Sequence, residues 1–415
     1  MNIDELRAKI DETDLAMAEL FERRMELCAQ IAEEKAQSGA QIFDPKRERA
    51  MLADCGKRVS PKVAPLYREL IEKEIALSKR YQRGLLRRLP ENIALERGCL
   101  HHIGELFDLE RKVLVVTDSG VPAEYAAEAA AQCKSPFCVT LPCGEATKSL
   151  ETMQALCEKM LEAGFDRGDC VLAVGGGMVG DIAGFAAACY MRGIDFYNVP
   201  TTLLAQVDSS IGGKTAANLC GVKNAVGAFH APRAVAVDPD LLFTLDERQY
   251  RNGLAEAIKT AACLDSELFG LLEHGVSTEN IDEVIRRCIL AKTSIVEADG
   301  HESGLRRVLN FGHTIGHAAE SAAKGALLHG ECVAMGMPPM CENPECKQRL
   351  CAVLKKYGFE LRFSGDKEAA FTALEHDKKS TEGKITVTVL KSIGEYKFVK
   401  MSTDEIKSRL EEAVK

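Results

Sequence analysis

The sequence predicts a multidomain protein. An all-α segment of three helices is followed by an α/β segment built on a parallel sheet, then by a mainly α-helical segment. Three observations carry this. Apolar residues recur at helical spacing from Leu6 to Ile31, with no Gly or Pro before Gly39. Short apolar runs alternate with helical patterns between residues 112 and 174, as βαβ units do. From about residue 245 the helical pattern dominates. At 415 residues the chain exceeds one ordinary core. The expected divisions are 1–85, 86–245 and 246–415.

The totals exclude several classes. Hydrophobic content of 46% with 28% charged residues is that of a globular protein. A net charge of −9 argues against a nucleic-acid binder. No apolar run reaches the roughly 20 residues of a membrane span. The acidic, amphipathic start has no signal-peptide apolar stretch. Sixteen cysteines sit in apparent core segments such as Ala187-Ala188-Cys189-Tyr190 and Ala262-Cys263-Leu264. That suits reduced thiols acting as small hydrophobes, so a cytoplasmic location is expected. Cys341 and Cys346 lack the matching second pair of a zinc knuckle.

In the first segment Leu6, Ile10, Met17, Leu20, Phe21, Leu27 and Ile31 mark one helix of about 30 residues, long enough for a bundle or coiled coil. Asn2 with Glu5 reads as a capping box. Asp44-Pro45 reads as an N-cap followed by Pro at N1, opening a short second helix, and Ser60-Pro61 repeats the signal for a third that ends near Gln82. Arg7, Arg24 and Lys35 lie on or beside the apolar stripe, and Arg47-Glu48 opens the second helix. A solvated face is the usual reading of such charges.

Here the words Leu6-Arg7-x-x-Ile10-Asp11-x-x-Asp14, Arg24, Lys35, Asp44-x-x-Arg47-Glu48 and Ser78-x-x-x-Gln82 resemble the all-helical chorismate mutase family across the whole segment. A dianion that rearranges without covalent catalysis needs cations to clamp its carboxylates and to stabilise the breaking ether oxygen. The resemblance implies that Arg7, Arg24 and Arg47 hold carboxylates. It puts Lys35 and Gln82 at the ether oxygen and Glu48 at the hydroxyl, with Asp44 and Ser78 lining the site. It also implies two intertwined chains, a homodimer, with Arg7 crossing from the partner. An isochorismate pyruvate lyase and a non-catalytic dimerisation or sensing module remain as alternatives.

Arg83 to Arg97, with four arginines and Pro90, reads as a linker or domain entry. Lys112–Asp118 is a short apolar run that suits a buried parallel strand, Val121–Cys133 a helix, Cys138–Leu141 a strand and Thr147–Ala163 a helix. A third strand, Cys170–Val174, runs into Gly175-Gly176-Gly177-Met178-Val179-Gly180-Asp181. Glycines there would let backbone N–H groups approach a pyrophosphate at a helix N-terminus, although the spacing departs from G-x-G-x-x-G. Gly213-Lys214-Thr215 mimics the end of a Walker A loop, but position 208 is Asp, which excludes a P-loop.

Leu309–Glu320 holds two of the nine histidines. If it is helical, His313 and His317 share a face. An isolated pair more often packs or caps. Glu256, His313 and His329 would give two imidazoles and a carboxylate, a catalytic zinc set with an open position.

The words Gly175-Gly176-Gly177-x-x-Gly180-Asp181, Met191-Arg192-Gly193, Pro200 to Lys214, Lys223-Asn224, Ala255-Glu256-x-x-Lys259, Leu309 to His317 and His329-Gly330-Glu331 resemble the 3-dehydroquinate synthase family. The likeness spans residues from about 88 to 415. It implies NAD and one divalent metal, Zn or Co. It also implies conversion of 3-deoxy-D-arabino-heptulosonate 7-phosphate to 3-dehydroquinate and phosphate. The steps would be transient oxidation, phosphate elimination, re-reduction, ring opening and aldol closure.

By the same resemblance Glu256, His313 and His329 hold the metal and His317 faces substrate. Lys214, Asn224, Lys259, Lys292, Arg306 and Asn310 surround a polyhydroxylated anion, and Asp208 lies beside the reacting hydroxyl. Arg192 reaches a neighbouring subunit's phosphate site, and Lys378 or Lys379 adds a cation. For NAD, Asp118 meets the adenosine ribose, and Glu145, Lys148, Gly176, Gly177, Asp181, Thr201, Thr202, Lys223 and Thr244 fill the other positions. Two departures stand out. Gly120 replaces a common Asn, and the segment after Gly336 is shorter and richer in Pro. Other sugar-phosphate cyclases and metal-dependent polyol dehydrogenases are the competing readings. The partners expected are small molecules, with no nucleic acid and no membrane.

Overall fold

The computed structural model describes residues 2–38, 44–86, 88–300, 304–363, 365–375 and 384–413. Lys378 and Lys379 lie outside them. The chain divides into two compact units, Met1–Glu91 and Asn92–Lys415.

The first unit is helical: α1 (Ile3–Ser38), α2 (Pro45–Cys55) and α3 (Ala64–Leu86). The capping box forms, with Glu5 N–H donating to Asn2 Oδ1 at 2.9 Å and Asn2 N–H to Glu5 Oε2 at 3.1 Å. Asp44 caps α2 by accepting from Arg47 N–H at 3.0 Å. The Ser60-Pro61 signal misplaces the third helix start. Val63 and Ala64 N–H groups both donate to the Ser60 carbonyl at 3.1 Å, so a turn comes first and α3 opens at Ala64. Within this unit Leu6, Ile10, Met17, Leu20, Phe21, Leu27 and Ile31 of α1 stay exposed.

In the second unit β1 (Ile93–Leu95), α4 (Ile103–Leu106), β2 (Lys112–Asp118), α5 (Ala123–Ala131), β3 (Ser135–Leu141), α6 (Leu150–Glu162), β4 (Cys170–Gly175), α7 (Gly177–Cys189) and β5 (Asp195–Pro200) follow in order. A hairpin, β6 (Lys214–Leu219) and β7 (Val222–Phe229), precedes β8 (Ala234–Val237). The six-stranded sheet has the order β1-β8-β5-β4-β2-β3, and every pairing in it is parallel. Strand alternation fills both faces. Leu114, Val116, Val171 and Ala173 pack under α6 and α7, while Val113, Val115, Leu172 and Val174 pack with Leu100, Ile103 and Ala129. The second strand starts at Ser135, earlier than its apolar residues suggest, because its first residues pair with Lys112 and Val113.

Helices then dominate: α8 (Glu247–Leu264), α9 (Ser266–His274), α10 (Ile281–Ala298), α11 (His313–Ala323), α12 (His329–Gly336), α13 (Pro344–Lys356), α14 (Lys367–Glu375) and α15 (Thr403–Ala413). One antiparallel hairpin, β9 (Lys384–Ser392) and β10 (Glu395–Ser402), interrupts them. The Pro-rich segment after α12 forms a buried 3-10 turn, Pro338–Met340, and then joins β9: Cys341 bridges Leu390, and Glu342 N–H donates to the Leu390 carbonyl at 3.0 Å. All sixteen cysteines are free thiols. Cys263 is core as expected, but Cys189 ends α7 exposed, so its apolar neighbours mislead. Among the described residues no helix is long and apolar enough to cross a membrane.

Candidate active site

Close helix packing gathers the histidines. A Cβ on Gly336 would lie 2.0 Å from the Gly312 carbonyl, and one on Gly330 2.2 Å from the Asn252 carbonyl. Only glycine lets α12 approach α11 and α8 this closely. His313 opens α11 behind Gly312, which sits in the left-handed region at φ 77°. His313, His317 and His329 then offer ring nitrogens that all lie within 4.8 Å of one another.

Glu256, on α8 and 1% exposed, completes the cluster. Its Oε1 is 3.5 Å from His329 Nε2 and 3.8 Å from His313 Nε2, and meets neither in hydrogen-bond geometry. The Lys259 ammonium lies against Oε2. A buried carboxylate oxygen without a hydrogen-bond donor among the described residues, facing two imidazole nitrogens, fits a divalent cation. Burial opposes ionisation of Glu256, but Lys259 and the imidazoles outweigh it and hold the carboxyl well below its usual range. Burial, then Lys259, pushes His313 well below an ordinary histidine, so its ring stays neutral. Burial also works against protonation of His329, yet the carboxylates of Glu256 and Glu320 on either side raise it to about 9. His317 shares the cluster but is exposed.

Beyond Glu256 the site continues toward the sheet. Asp208 belongs to a π-helical turn, Ala205–Ser209, and accepts from Lys292 at 2.5 Å on Oδ1 and 2.7 Å on its carbonyl. Burial lowers the Lys292 ammonium. Burial likewise works against the charge on Lys259, but Glu256 and Asp208 raise it. Arg306, 2% exposed, donates to the carbonyls of Gly300 at 2.9 Å and Gly212 at 3.1 Å. It thereby shapes the backbone ahead of Lys214, which opens β6 exposed. Asn310 ends the turn just before Gly312 and is half-buried. Arg192 is exposed in the turn after α7, at φ 70°.

The glycine turn lies at the carboxyl end of β4, with Gly176 at the N-cap of α7. A Cβ on Gly176 would lie 3.0 Å from Thr202 Cγ2, and one on Gly177 2.9 Å from Ser209 Oγ. Bare backbone at a helix N-terminus can cradle a phosphate. Thr201 N–H donates to the Gly175 carbonyl at 3.0 Å. Behind it Lys148, 5% exposed, pairs with Asp181 at 2.5 Å and also meets Asn224 Oδ1. Burial raises the Asp181 carboxyl against that pairing. Asp118 ends β2 and accepts from Gly120 N–H at 2.8 Å. A Cβ at position 120 would lie 3.1 Å from that carboxylate and 3.3 Å from Cys143 Cβ, so glycine suits this turn. Glu145 accepts from Asn218 at 2.9 Å, and Thr244 shares a 3.0 Å hydrogen bond with Tyr125.

Two expected site residues also have partners within the protein. Asn224, expected with substrate, sits on the Lys148–Asp181 pair. Lys223, expected at the cofactor, pairs with Glu320 at 2.6 Å. Glu320 itself was not singled out by the sequence. Its signal is spacing, since residues 313, 317 and 320 share one face of α11.

In the helical unit Arg24 meets Ser78 and pairs through Nε with Glu74 at 2.8 Å. Glu48 pairs with Lys79 at 3.2 Å. Ser78 and Gln82 are buried, and Gln82 Oε1 has no hydrogen-bond partner among the described residues. Glu74 and Lys79 were missed because each reads as an ordinary helix charge. Lys35 is half-buried, while Asp44 and Arg47 are exposed. Arg7 pairs only loosely with Asp4 at 3.4 Å and is 71% exposed. It lies about 25 Å along α1 from Arg24, so one copy of this unit does not bring the two together.

A parallel α/β sheet with a glycine-lined cradle, joined through Asp208 and Lys292 to a carboxylate–imidazole cluster, defines an enzyme with a candidate metal centre beside a candidate nucleotide site. Comparison with known proteins is specific. The 3-dehydroquinate synthase N-terminal and C-terminal family models match residues 138–252 and 253–380, and the chorismate mutase type II model matches residues 6–83. The 3-dehydroquinate synthase of Enterococcus faecalis is 41% identical over 343 residues, covering 77% of this chain and 95% of that one. That of Latilactobacillus sakei is 42% identical over 334 residues, covering 77% and 94%.

Among solved structures, 2-deoxy-scyllo-inosose synthase complexed with carbaglucose-6-phosphate, NAD+ and Co2+ matches with a TM-score of 0.72 and 29% identity, covering 78% of this chain and 96% of that one. The 2-epi-5-epi-valiolone synthase of Streptomyces hygroscopicus, with NAD+ and Zn2+ bound, gives 0.71 and 28%, covering 79% and 97%. The chain belongs to the 3-dehydroquinate synthase family, and it carries a chorismate mutase type II domain ahead of the synthase.

Proposed function

We propose that residues from about 86 onward convert 3-deoxy-D-arabino-heptulosonate 7-phosphate to 3-dehydroquinate and phosphate, using NAD and one divalent metal. The observation that supports this most is Glu256 Oε1, buried, without a hydrogen-bond donor among the described residues and facing His313 and His329. Those three residues would hold the metal, and the glycine turn with Asp118, Lys148 and Asp181 would hold NAD. When bound, the metal supplies a Lewis acid for a substrate hydroxyl and NAD supplies reversible oxidation. Lys259 keeps Glu256 ionised. Lys292 fixes Asp208, which stands ready to take a proton from the neighbouring hydroxyl. His317, exposed beside the cluster, faces the substrate, and Lys214, Asn310 and Lys378 supply further polar groups to a polyhydroxylated anion. Arg306 holds the loop that carries Lys214.

The helical domain rearranges chorismate to prephenate in this reading. Arg24, Ser78, Gln82, Glu48, Lys35 and Arg47 serve one site, and Arg7 arrives from a second copy. The exposed apolar stripe of α1 supports a homodimer, because burial of such a stripe is what a paired helix provides.

The test is direct. The full chain, supplied with NAD and Zn2+, should release phosphate from the heptulosonate phosphate and stop on chelation. No release would overturn the synthase reading. Chorismate should give prephenate. Pyruvate from isochorismate would assign a lyase instead, and no reaction with either would leave a non-catalytic module.

A further inference from the structure

We infer that Glu320 is a positioning residue for the metal centre, fixing the ring of His329 so that Nε2 points at Glu256, with Lys223 as its counter-ion. The inference rests on the metal reading above.

The geometry carries it. The two ring nitrogens of His329 face two different carboxylates: Nε2 is 3.5 Å from Glu256 Oε1, and Nδ1 is 3.3 Å from Glu320 Oε2. An ionised carboxylate only accepts, so Glu320 holds the Nδ1–H of His329, and a cation seated between Glu256 and Nε2 would displace the Nε2 proton and take that lone pair. Glu320 is 8% exposed, on the face of α11 that carries His313 and His317. Its other oxygen accepts from Lys223 at 2.6 Å, which compensates a charge that would otherwise be buried alone. One element therefore presents two imidazoles to the cluster and steers the third.

Lys223 adds a second consequence. It stands on β7 next to Asn224, whose side chain meets Lys148, the partner of Asp181 at the glycine helix. Consecutive residues of one strand thus touch the histidine side and the cradle side. Losing Lys223 should loosen Glu320, and through it His329.

The experiment uses the full chain, stripped of metal and titrated with Co2+ against a chelator, with the cobalt d–d spectrum and metal-free thermal unfolding recorded alongside. Glu320→Ala should weaken Co2+ binding by roughly 10- to 100-fold and change the spectrum. Glu320→Gln, whose amide oxygen still accepts from Nδ1–H, should recover the spectrum and part of the affinity. Lys223→Met should weaken binding less, and should add little in the Glu320→Ala background. Wild-type affinity and spectrum in Glu320→Ala would overturn the inference. So would lowered metal-free stability with an unchanged spectrum. If Glu320→Ala does not fold, the spectrum of Glu320→Gln decides: a ligand field unlike wild type despite native folding would overturn it. No Co2+ uptake by the wild type would instead overturn the metal reading on which it stands.

Discussion

Lys292 donates to Asp208 at two points, 2.5 Å to the carboxylate and 2.7 Å to the backbone carbonyl. One buried ammonium thus fixes both the side chain and the π-helical turn that presents it. Lys292→Met should lower turnover by about 100-fold, the scale of losing one placed donor from a site. Phosphate release under saturating NAD and Zn2+ measures it. Turnover within about threefold of wild type would show that the pair is only structural.

His313 and His317 are one turn apart but sit differently, His313 largely buried against Glu256 and His317 exposed. His313→Ala should therefore lose bound metal, while His317→Ala keeps it and loses turnover. Metal stoichiometry by atomic spectroscopy separates the two. Equal metal loss in both would end this division of labour.

Gly177 has no room for a side chain, since a Cβ would come within 2.9 Å of Ser209 Oγ. Gly177→Ala should weaken NAD binding by about 10-fold or more, because the methyl group would push against Ser209 and shift the helix N-terminus expected to meet a pyrophosphate. Isothermal titration with NAD reads this out, and unchanged affinity would place the pyrophosphate elsewhere.

Asp265 caps α9 through Leu268 N–H at 3.0 Å and accepts both arms of Arg287, at 2.8 and 2.7 Å. Burial works against its charge, but Arg287 and the cap outweigh it and hold the carboxyl below its ordinary value. A depressed folded pKa gives stability that is present above the unfolded value of about 3.9 and is lost as pH falls through the folded value. Arg287→Met should cost about 2 kcal/mol at pH 7. The gap to wild type should close in acid as Asp265 protonates. Urea unfolding at pH 7 and at successively lower pH tests it, and a gap that stays constant into acid would remove the electrostatic explanation.

Arg24 is tied to Ser78 and Glu74 within the helical unit. Arg24→Ala in the full chain should cut chorismate consumption by about 100-fold or more, since one of the site's placed cations is lost. A prephenate assay with wild-type rates in this variant would contradict the assigned site.

How much was readable in advance varied with the physics involved. The Asn2–Glu5 box and the Asp44 cap form as their spacing implies, because both depend on neighbours within one turn. The strand Lys112–Asp118 matches its apolar run, since a buried parallel strand is apolar throughout. The Ser60-Pro61 start fails because a single turn competes locally with the helix. Cys189 fails because exposure at a helix end depends on what packs there. The contact between Glu320 and Lys223 was out of reach, since it joins a hairpin to a helix 97 residues further along.

By itself, then, the sequence determined the helical segment, the strand–helix alternation, the glycine turn and the family words that name the candidate ligands. These depend on short-range spacing and on residue type. The tertiary structure alone decided that His329 turns between Glu256 and Glu320. It alone decided that Asn224 leans on Lys148 while its neighbour Lys223 reaches Glu320. It also left Arg7 far from Arg24 within one copy. Each of these depends on which elements pack together, and glycines such as Gly330 and Gly336 set that packing by allowing helix backbones to meet.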